Sequence, residues 1–257
     1  MYPIDLKGKN GVVFGVANNR SIAWIIAQIL HAAGARLVLA YQNERVKNNV
    51  AKLVAGWDDT LLVECDVSAE DNVASSFSEI GAHLDNIDIL VHSIAFADRG
   101  DLGGRFVDTG REGFRVALDI SAYSLLSVSR HAFPFMNRGG SILALTFQAS
   151  ERVFPGYNVM GTAKAALENE VKQLASDLGP DNIRVNAISA GPLDTLSSRV
   201  ISHYRDMKRI HAERSPMGRN ITHDDVAKAA LFLASDLSSG VTGEILHVDT
   251  GYNIMGI

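Results

Sequence analysis

Apolar and polar residues follow two regular patterns along this chain. Short continuous apolar runs bounded by glycine or polar residues are typical of buried β-strands, and they predict strands at 10–16, 36–40, 60–65, 87–92, 141–145, 183–189 and 244–248. Between these runs, apolar residues recur at helical spacing and predict helices at 21–33, 44–55, 68–83, 109–136, from 157 onward and at 222–234. Capping-box sequences begin three of the helices, at 68–71, 109–112 and 222–225. The alternation predicts an α/β fold, a single-domain doubly wound parallel sheet of about seven strands with helices on both faces.

The ends of the strands predict where a ligand binds. In a doubly wound sheet of this Rossmann type, right-handed connections bring the loops after the strands to one edge, around a crevice. The loops expected to surround this crevice are 15–21, 41–45, 66–67, 93–97, 146–156 and 190–195.

Two residues near the middle of the chain, Tyr157 and Lys164, are suited to chemistry at this crevice. If the helix begins at Tyr157, seven positions bring the two side chains to within about 20° in direction and about 10 Å along the axis. A phenol can hydrogen-bond or protonate a developing oxyanion, and an ammonium supplies a fixed charge and three donors. The alternative is a surface tyrosine and a solvated lysine on an ordinary helix.

The loop after the first strand is a candidate phosphate site. Gly15 begins the loop and Ser21 precedes the next helix, where backbone N–H groups and the helix N-terminus can hold a pyrophosphate. Only one glycine of a GxGxxG motif is present, and Ser21 is equally typical of an ordinary helix N-cap.

The following loops carry further candidate cofactor contacts. Gln42 can accept a hydrogen bond from an adenosine ribose, whereas Arg45 suits a 2′-phosphate, so the sequence favours NADH with NADPH possible. Asp66 is placed to meet the adenine edge, although an aspartate after a strand is often only a turn former. Ser93 and Ala95 are small enough to let the backbone approach a cofactor ribose.

Composition excludes several other classes of function. The 257-residue chain is 47% hydrophobic and 21% charged, which is ordinary for a globular protein. Its net charge of −5 offers no general attraction to nucleic acid or to anionic membranes, and no apolar run reaches transmembrane length. The single cysteine, Cys65, reads as a core residue, and the eight histidines show no metal-binding spacing. With no signal-peptide pattern at the N-terminus, we expect a cytoplasmic protein without a metal site.

Several motifs in order resemble one family. YNVMGTAK, which spaces Tyr157 and Lys164 seven apart, occurs with GVANNRSIA, CDV, HSIAFA, RVNAISAGP and GEILHVDTGY, from about Leu6 to Tyr252. Together they resemble the bacterial enoyl-acyl carrier protein reductases, a divergent branch of the short-chain dehydrogenase/reductases. The commoner branch has Tyr-x3-Lys, which Gly161 excludes here.

The resemblance implies NAD(P)H-dependent reduction of a trans-2-enoyl thioester, with Tyr157 at the enolate oxygen and Lys164 at the nicotinamide ribose. It implies cofactor contacts at Gly15, Ser21, Ile22, Gln42, Asp66, Val67, Ser93, Ile94, Ala95, Lys164, Leu193 and Thr195. It implies substrate contacts at Ala97, Phe147, Tyr157, Met160 and Tyr204.

Two positions depart from the family. Phe147 replaces a second tyrosine of many members, so any duty shared between two phenols falls on Tyr157. Asp194 stands where many members have arginine, which reverses a charge near the cofactor phosphates.

The segment at about 195–220 is expected to form a helical lid over the acyl chain. Its apolar stripe comprises Leu196, Val200, Ile201, Tyr204, Met207 and Ile210, although a plain amphipathic helix explains the same pattern. The segment is also basic, through Arg199, Arg205, Lys208, Arg209, Arg214 and Arg219, which suits an anionic acyl carrier protein. The match to carrier-docking positions is partial, because Ser202 and Asp206 fall where bases are frequent.

The resemblance further implies a homotetramer. Other functions stay open: a carbonyl or specialised enoyl reductase on the same scaffold, or an NAD(P)-binding module that lacks catalysis.

Overall fold

The strands form one parallel sheet. A computed structural model describes residues 4–196, 198 and 204–256, and within these its strands follow the order β3-β2-β1-β4-β5-β6-β7. The strands are β1 (Asn10–Phe14), β2 (Arg36–Tyr41), β3 (Leu61–Glu64), β4 (Ile87–His92), β5 (Met136–Thr146), β6 (Arg184–Ala190) and β7 (Ile245–Val248). All six strand pairings are parallel, which confirms the predicted fold class.

Helices cover both faces of the sheet. They are α1 (Ile22–Ala32), α2 (Glu44–Leu53), α3 (Glu70–His83), α4 (Arg111–Leu118), α5 (Ser124–Ala132), α6 (Val159–Leu178), α7 (Tyr204–Arg214) and α8 (His223–Ala234). One hydrophobic core joins the sheet to α3, α5 and α6, and a second joins it to α1, α2 and α8. In β1, Val12 and Phe14 belong to the first core and Val13 to the second, which is why the strand sequences are continuously apolar.

Two of the three predicted capping boxes are absent. Thr222 and Asp225 form theirs, each side chain accepting from the other residue's backbone N–H. Ser68 instead donates its hydroxyl to the Asp66 carboxylate, and the Thr109 hydroxyl donates to the Phe106 carbonyl. Because both hydroxyl groups form hydrogen bonds within local turns, they do not cap α3 and α4.

The long helix predicted from 109 to 136 is interrupted. A π-helical turn, Asp119–Tyr123, separates α4 from α5, and a 3-10 turn at Phe133–Phe135 with proline near its start ends the helical segment. Strand β5 then begins at Met136, five residues before the predicted start.

Among the described helices, none is both long enough and apolar enough to span a bilayer.

Candidate active site

The first part of the site lies where the sheet order reverses, between the adjacent strands β1 and β4. Gly15 follows β1 with a φ of +98°, and a Cβ there would lie 2.0 Å from the Ser93 carbonyl oxygen after β4. Only glycine permits this approach, because a side chain would push the two loops apart. The structure therefore brings Gly15 and Ser93 together at the expected cofactor crevice.

Ser21 closes the loop that follows Gly15. Its hydroxyl oxygen accepts hydrogen bonds from the N–H groups of Ala17 and Asn18 rather than from α1. The Ser21 side chain therefore does not cap the N-terminus of α1, which begins at Ile22. An uncapped helix N-terminus beside a loop of backbone N–H groups fits the negatively charged pyrophosphate of a dinucleotide.

The remaining predicted cofactor residues line the same edge of the sheet. Gln42 and Arg45 are both exposed after β2, so either can meet an adenosine ribose. One Asp66 carboxylate oxygen accepts from the N–H and hydroxyl of Ser68, which is the turn-forming role that the sequence left open. Other residues of the set are partly buried or exposed at the strand ends: Val67, Ile94 and Ala95.

Tyr157 lies in a turn and not in the helix. Because α6 begins at Val159, the helical geometry assumed between Tyr157 and Lys164 was wrong by two residues. The N–H of Met160 donates to the Tyr157 carbonyl over 3.0 Å, and Asn158 has φ +34° and ψ −119°. These angles define a type II′ turn, and this turn, rather than helical spacing, places the phenol.

The Tyr157 ring is enclosed by other aromatic side chains. Its centroid lies 5.1 Å from that of Phe147 in an edge-on arrangement, and Phe147 in turn packs on Phe154. Burial raises the pKa of Tyr157, and the nearby Tyr204 phenol raises it further. Tyr157 is therefore a neutral hydrogen-bond donor throughout the physiological pH range.

Lys164 is buried at the end of β5. Its ammonium donates to the Leu145 carbonyl oxygen at 2.7 Å, two residues before Phe147. Burial lowers the pKa of Lys164 to about 8, although the Glu168 carboxylate acts in the opposite direction. The phenol and the ammonium are thus both held at the carboxyl end of β5, and neither is a solvated surface group.

Gly161 allows close packing of α6 at its N-terminal end. A Cβ at Gly161 would lie 2.8 Å from the Ala149 carbonyl oxygen, so α6 packs directly on the backbone of the loop after β5. A lysine at this position, as in the commoner Tyr-x3-Lys pattern, would push the helix away from that loop.

Helix α7 covers the aromatic side of the site. The Tyr204 hydroxyl donates to the Leu193 carbonyl, and Thr195 exchanges hydrogen bonds with Ser198. Met207 and Ile210 face a cavity of about 320 Å³ that Phe147 and Pro155 also line. Of the predicted stripe, Val200 and Ile201 lie outside the described residues, as do Arg199 and Ser202, and Leu196 is exposed.

The predicted substrate residues divide into two groups. Phe147 lines the cavity under α7, whereas Met160 is buried against Leu102 and Ala163, with Ala97 and Tyr157 at the edge of that cluster. Tyr157 connects the two groups through its contact with the Phe147 ring.

Asp194 does not present an uncompensated charge. Its carboxylate pairs with the Lys208 ammonium on α7, so the charge reversal seen in the sequence is balanced by the lid segment itself. The same pairing removes Lys208 from the set of free basic groups.

Sequence reasoning missed a buried polar pair beneath Lys164. Ser124 gives its hydroxyl hydrogen to the Ile120 carbonyl and therefore accepts from the His92 Nε2 at 2.7 Å. Burial, together with the nearby Lys164 charge, lowers the pKa of His92 to about 3. His92 is fully buried. Its contact with Ser124, whose hydroxyl bonds to the π-helical turn, had no signal in the sequence.

Across 4–196, 198 and 204–256, no three His, Cys, Asp or Glu side chains are grouped so that they could hold a metal ion.

A parallel sheet with this strand order and glycine-mediated contact at its reversal point defines a dinucleotide-binding fold of the short-chain dehydrogenase/reductase type. The Tyr157–Lys164 pair at the end of β5 fits the same class. Residues 15–253 match the family model described as enoyl-(acyl carrier protein) reductase, and the chain belongs to that family.

Individual relatives are similar to this chain over nearly its whole length. The Rickettsia typhi protein named NADH-dependent enoyl-acyl-carrier-protein reductase FabI is 49% identical over 251 residues, covering 98% of this chain and 96% of the relative. The Bacillus cereus enoyl-acyl carrier protein reductase, crystallised with NADP+ and indole naphthyridinone, superposes with a TM-score of 0.96 at 49% identity, covering 98% and 99% of the two chains. The Anaplasma phagocytophilum reductase in complex with NAD gives a TM-score of 0.94 at 46% identity, covering 98% and 96%.

Gly15 and Gly56 provide a matched test of the cofactor crevice. Both have φ near +100°, but a Cβ at Gly56 meets nothing within 4 Å. We expect Gly15→Ala to weaken NADH binding about tenfold or more relative to Gly56→Ala, since both pay the backbone strain and only the first separates the two loops. Fluorescence titration with NADH measures the difference, and equal affinities in the two variants would contradict the assignment.

Proposed function

We propose that this chain reduces the trans-2 double bond of enoyl thioesters carried on acyl carrier protein, with NADH as reductant, in fatty acid biosynthesis. One observation carries the proposal: a chain of the enoyl reductase family holds a neutral phenol and a buried ammonium together at the end of β5. This arrangement suits a reaction in which a thioester carbonyl becomes an enolate.

In this proposal, separate residues bind the substrate carbonyl and the cofactor. When bound, NADH supplies the hydride that the β carbon of the substrate receives. Tyr157 would hydrogen-bond the carbonyl oxygen as it gains negative charge, and a proton that comes from solvent would add to the α carbon of the enolate to complete the reduction. Lys164 uses one donor on Leu145, and its other N–H donors hold the nicotinamide ribose hydroxyls. Gly15 and the N-terminus of α1 hold the pyrophosphate.

The preference for NADH is supported by the loop after β2. Gln42 is neutral and exposed, so it can accept a hydrogen bond from an adenosine ribose hydroxyl, as NADH offers. Arg45 is exposed close by, which leaves room for NADPH as a second reductant. Relatives from Rickettsia and Bacillus are named as NADH enzymes, while the Bacillus cereus structure contains NADP+.

Helix α7 acts as the substrate lid in this proposal. Its Tyr204 donates to the Leu193 carbonyl and lies close enough to Tyr157 to raise the pKa of that phenol, so α7 lies beside the group that an enoyl substrate has to reach. Hydrogen exchange of 204–214 that is unchanged by a bound substrate analogue would argue against a lid.

A homotetramer is proposed from the family resemblance. Exposed aromatic rings on and beside α4 support an interface there, namely Phe106, Phe114 and Tyr123. The Glu170 carboxyl on neighbouring α6 is partly buried, which raises its pKa to about 7. Light scattering after size-exclusion chromatography measures the assembly, and a monomer at micromolar concentration would contradict it. The cytoplasmic location stays a prediction.

Two alternatives remain testable in one assay. A carbonyl reductase would reduce ketones and leave enoyl thioesters unchanged, and this alternative draws support from Phe147 in place of a second tyrosine. A binding module without catalysis would take up NADH and turn over neither substrate.

Tyr157→Phe tests the role of the phenol. The substitution removes the oxygen that stabilises the enolate and keeps the ring packed on Phe147, so we expect kcat on crotonyl thioester to fall by about 10²–10³. The affinity for NADH should stay unchanged. Tyr123→Phe deletes a hydroxyl outside the crevice and keeps the ring that the proposed interface uses, so it is the control and should retain parental kcat. Parental turnover in Tyr157→Phe would exclude the proposed mechanism.

The ammonium of Lys164 should give the reaction a falling limb at alkaline pH. Because its pKa is lowered to about 8, the charged form is present below that value and is lost as pH rises through it. We expect kcat/KM for NADH to fall about tenfold per pH unit above this point. Because an arginine side chain stays charged at alkaline pH, the profile of Lys164→Arg should lack the falling limb. The rate of this variant should be lower than that of the parent protein. Initial rates across pH give both profiles, and identical limbs in the two proteins would refute the assignment.

Arg205 is the basic residue that best fits carrier docking. Lys208, Arg209 and Arg219 each pair with a carboxylate on this chain, whereas Arg205 is exposed and forms no ion pair with another described residue. We expect Arg205→Glu to lower kcat/KM for a carrier-linked enoyl substrate about three- to tenfold, with crotonyl-coenzyme A turnover unchanged. Lys228→Glu on α8 makes the same charge change away from the lid. Equal carrier-linked rates in both variants would count against docking at Arg205.

A further inference from the structure

The residue after the catalytic tyrosine has an unusual backbone. Asn158 takes the first central position of the type II′ turn 157–160, with φ +34° and ψ −119°. Glycine adopts these angles without strain, whereas any side chain is disfavoured there. Among described residues, the other two non-glycine positions with positive φ are Asn182 and Thr250. Asn182 has φ +57° and ψ +33°, the left-handed region that asparagine tolerates well.

The Asn158 side chain makes contacts that glycine cannot make. Its amide nitrogen Nδ2 donates to the Gly103 carbonyl at 2.9 Å and lies 3.3 Å from the Gly104 carbonyl. Both acceptors are backbone groups more than 50 residues away, so the contact joins two separate loops. A position that would be most relaxed as glycine therefore carries a side chain that holds another segment.

The segment held by Asn158 forms one wall beside Tyr157. It follows β4 and contains the 3-10 turn Arg99–Leu102. Leu102 is buried against Met160 and Ala163, and Tyr157 packs at the edge of this cluster. The loop is thus attached to the Tyr157 turn at two points, one apolar through Leu102 and one polar through Asn158.

We propose that Asn158 is a positioning residue for the reduction: its amide ties the 103–104 backbone to the turn that carries Tyr157, so that the phenol and the adjoining wall keep one arrangement. Asn158 contacts neither reactant and acts through Tyr157. The inference rests on the proposed function for its catalytic consequence. The attachment of the 99–104 segment is independent of that function.

The proposal predicts that stability and activity change separately. Asn158→Gly removes the amide but relieves the backbone, so the midpoint of thermal unfolding should stay equal or rise. Its kcat on crotonyl thioester should nevertheless fall about tenfold, with KM for NADH unchanged, because the phenol is less well placed for the transition state. A residue that served folding alone would lose activity only in proportion to lost stability.

The experiment compares three variants with the parent protein. Asn158→Asp keeps a residue suited to the turn but sets a carboxylate against two carbonyl oxygens, so it should lower kcat as much as Asn158→Gly does. Asn182→Gly is the matched control, since it replaces an asparagine of positive φ in the turn between α6 and β6. Hydrogen exchange of 99–104 should become about tenfold faster in both Asn158 variants and not in the control.

Each result has a defined meaning. Faster exchange at 99–104 together with reduced kcat and undiminished thermal stability supports the proposal. Unchanged exchange at 99–104, or a kcat within about twofold of the parent value in Asn158→Gly, overturns it. A parent protein that fails to reduce enoyl thioesters would instead overturn the proposed function, and the exchange measurement would still decide whether Asn158 holds the segment.

Discussion

The burial of the Lys164 ammonium is the constraint on which the site depends. An unpaired charge in the protein interior is costly, so the ammonium has to be met by fixed acceptors. The Leu145 carbonyl supplies one, and the Glu168 carboxylate, which accepts from Thr146, supplies a nearby opposite charge. These contacts fix α6 to the end of β5. The same end of β5 leads directly into the loop that carries Phe147, so anchoring the charge also anchors the aromatic side of the site.

Close backbone packing extends this constraint across the crevice. Gly161 lets α6 lie against the 147–150 loop, and Gly15 lets the β1 loop lie against Ser93. Both approaches are too short for any side chain, so the positions of the helices relative to the strand ends have little freedom. This rigidity suits a reaction in which a phenol, an ammonium and a bound dinucleotide must face a small reacting group.

The departures from the family pattern have local physical explanations. Phe147 keeps the ring that packs edge-on against Tyr157, so the aromatic enclosure does not need the missing hydroxyl. Asp194 is neutralised by Lys208 on α7, which converts a charge reversal beside the crevice into a link between the β6 loop and the lid. Neither change alters the hydrogen bond of the Lys164 ammonium to the Leu145 carbonyl at the end of β5.

The sequence by itself determined the sheet, the crevice and the two chemical groups. Apolar runs and helical spacing are local signals, and parallel strands buried on both faces leave little choice of where a ligand binds. Tertiary structure decided the rest. The π-helical turn below Lys164 and the type II′ turn under Tyr157 each depend on partners distant in sequence, such as His92 for Ser124 and Gly103 for Asn158. No local pattern encodes a contact between segments that meet only after the chain has folded.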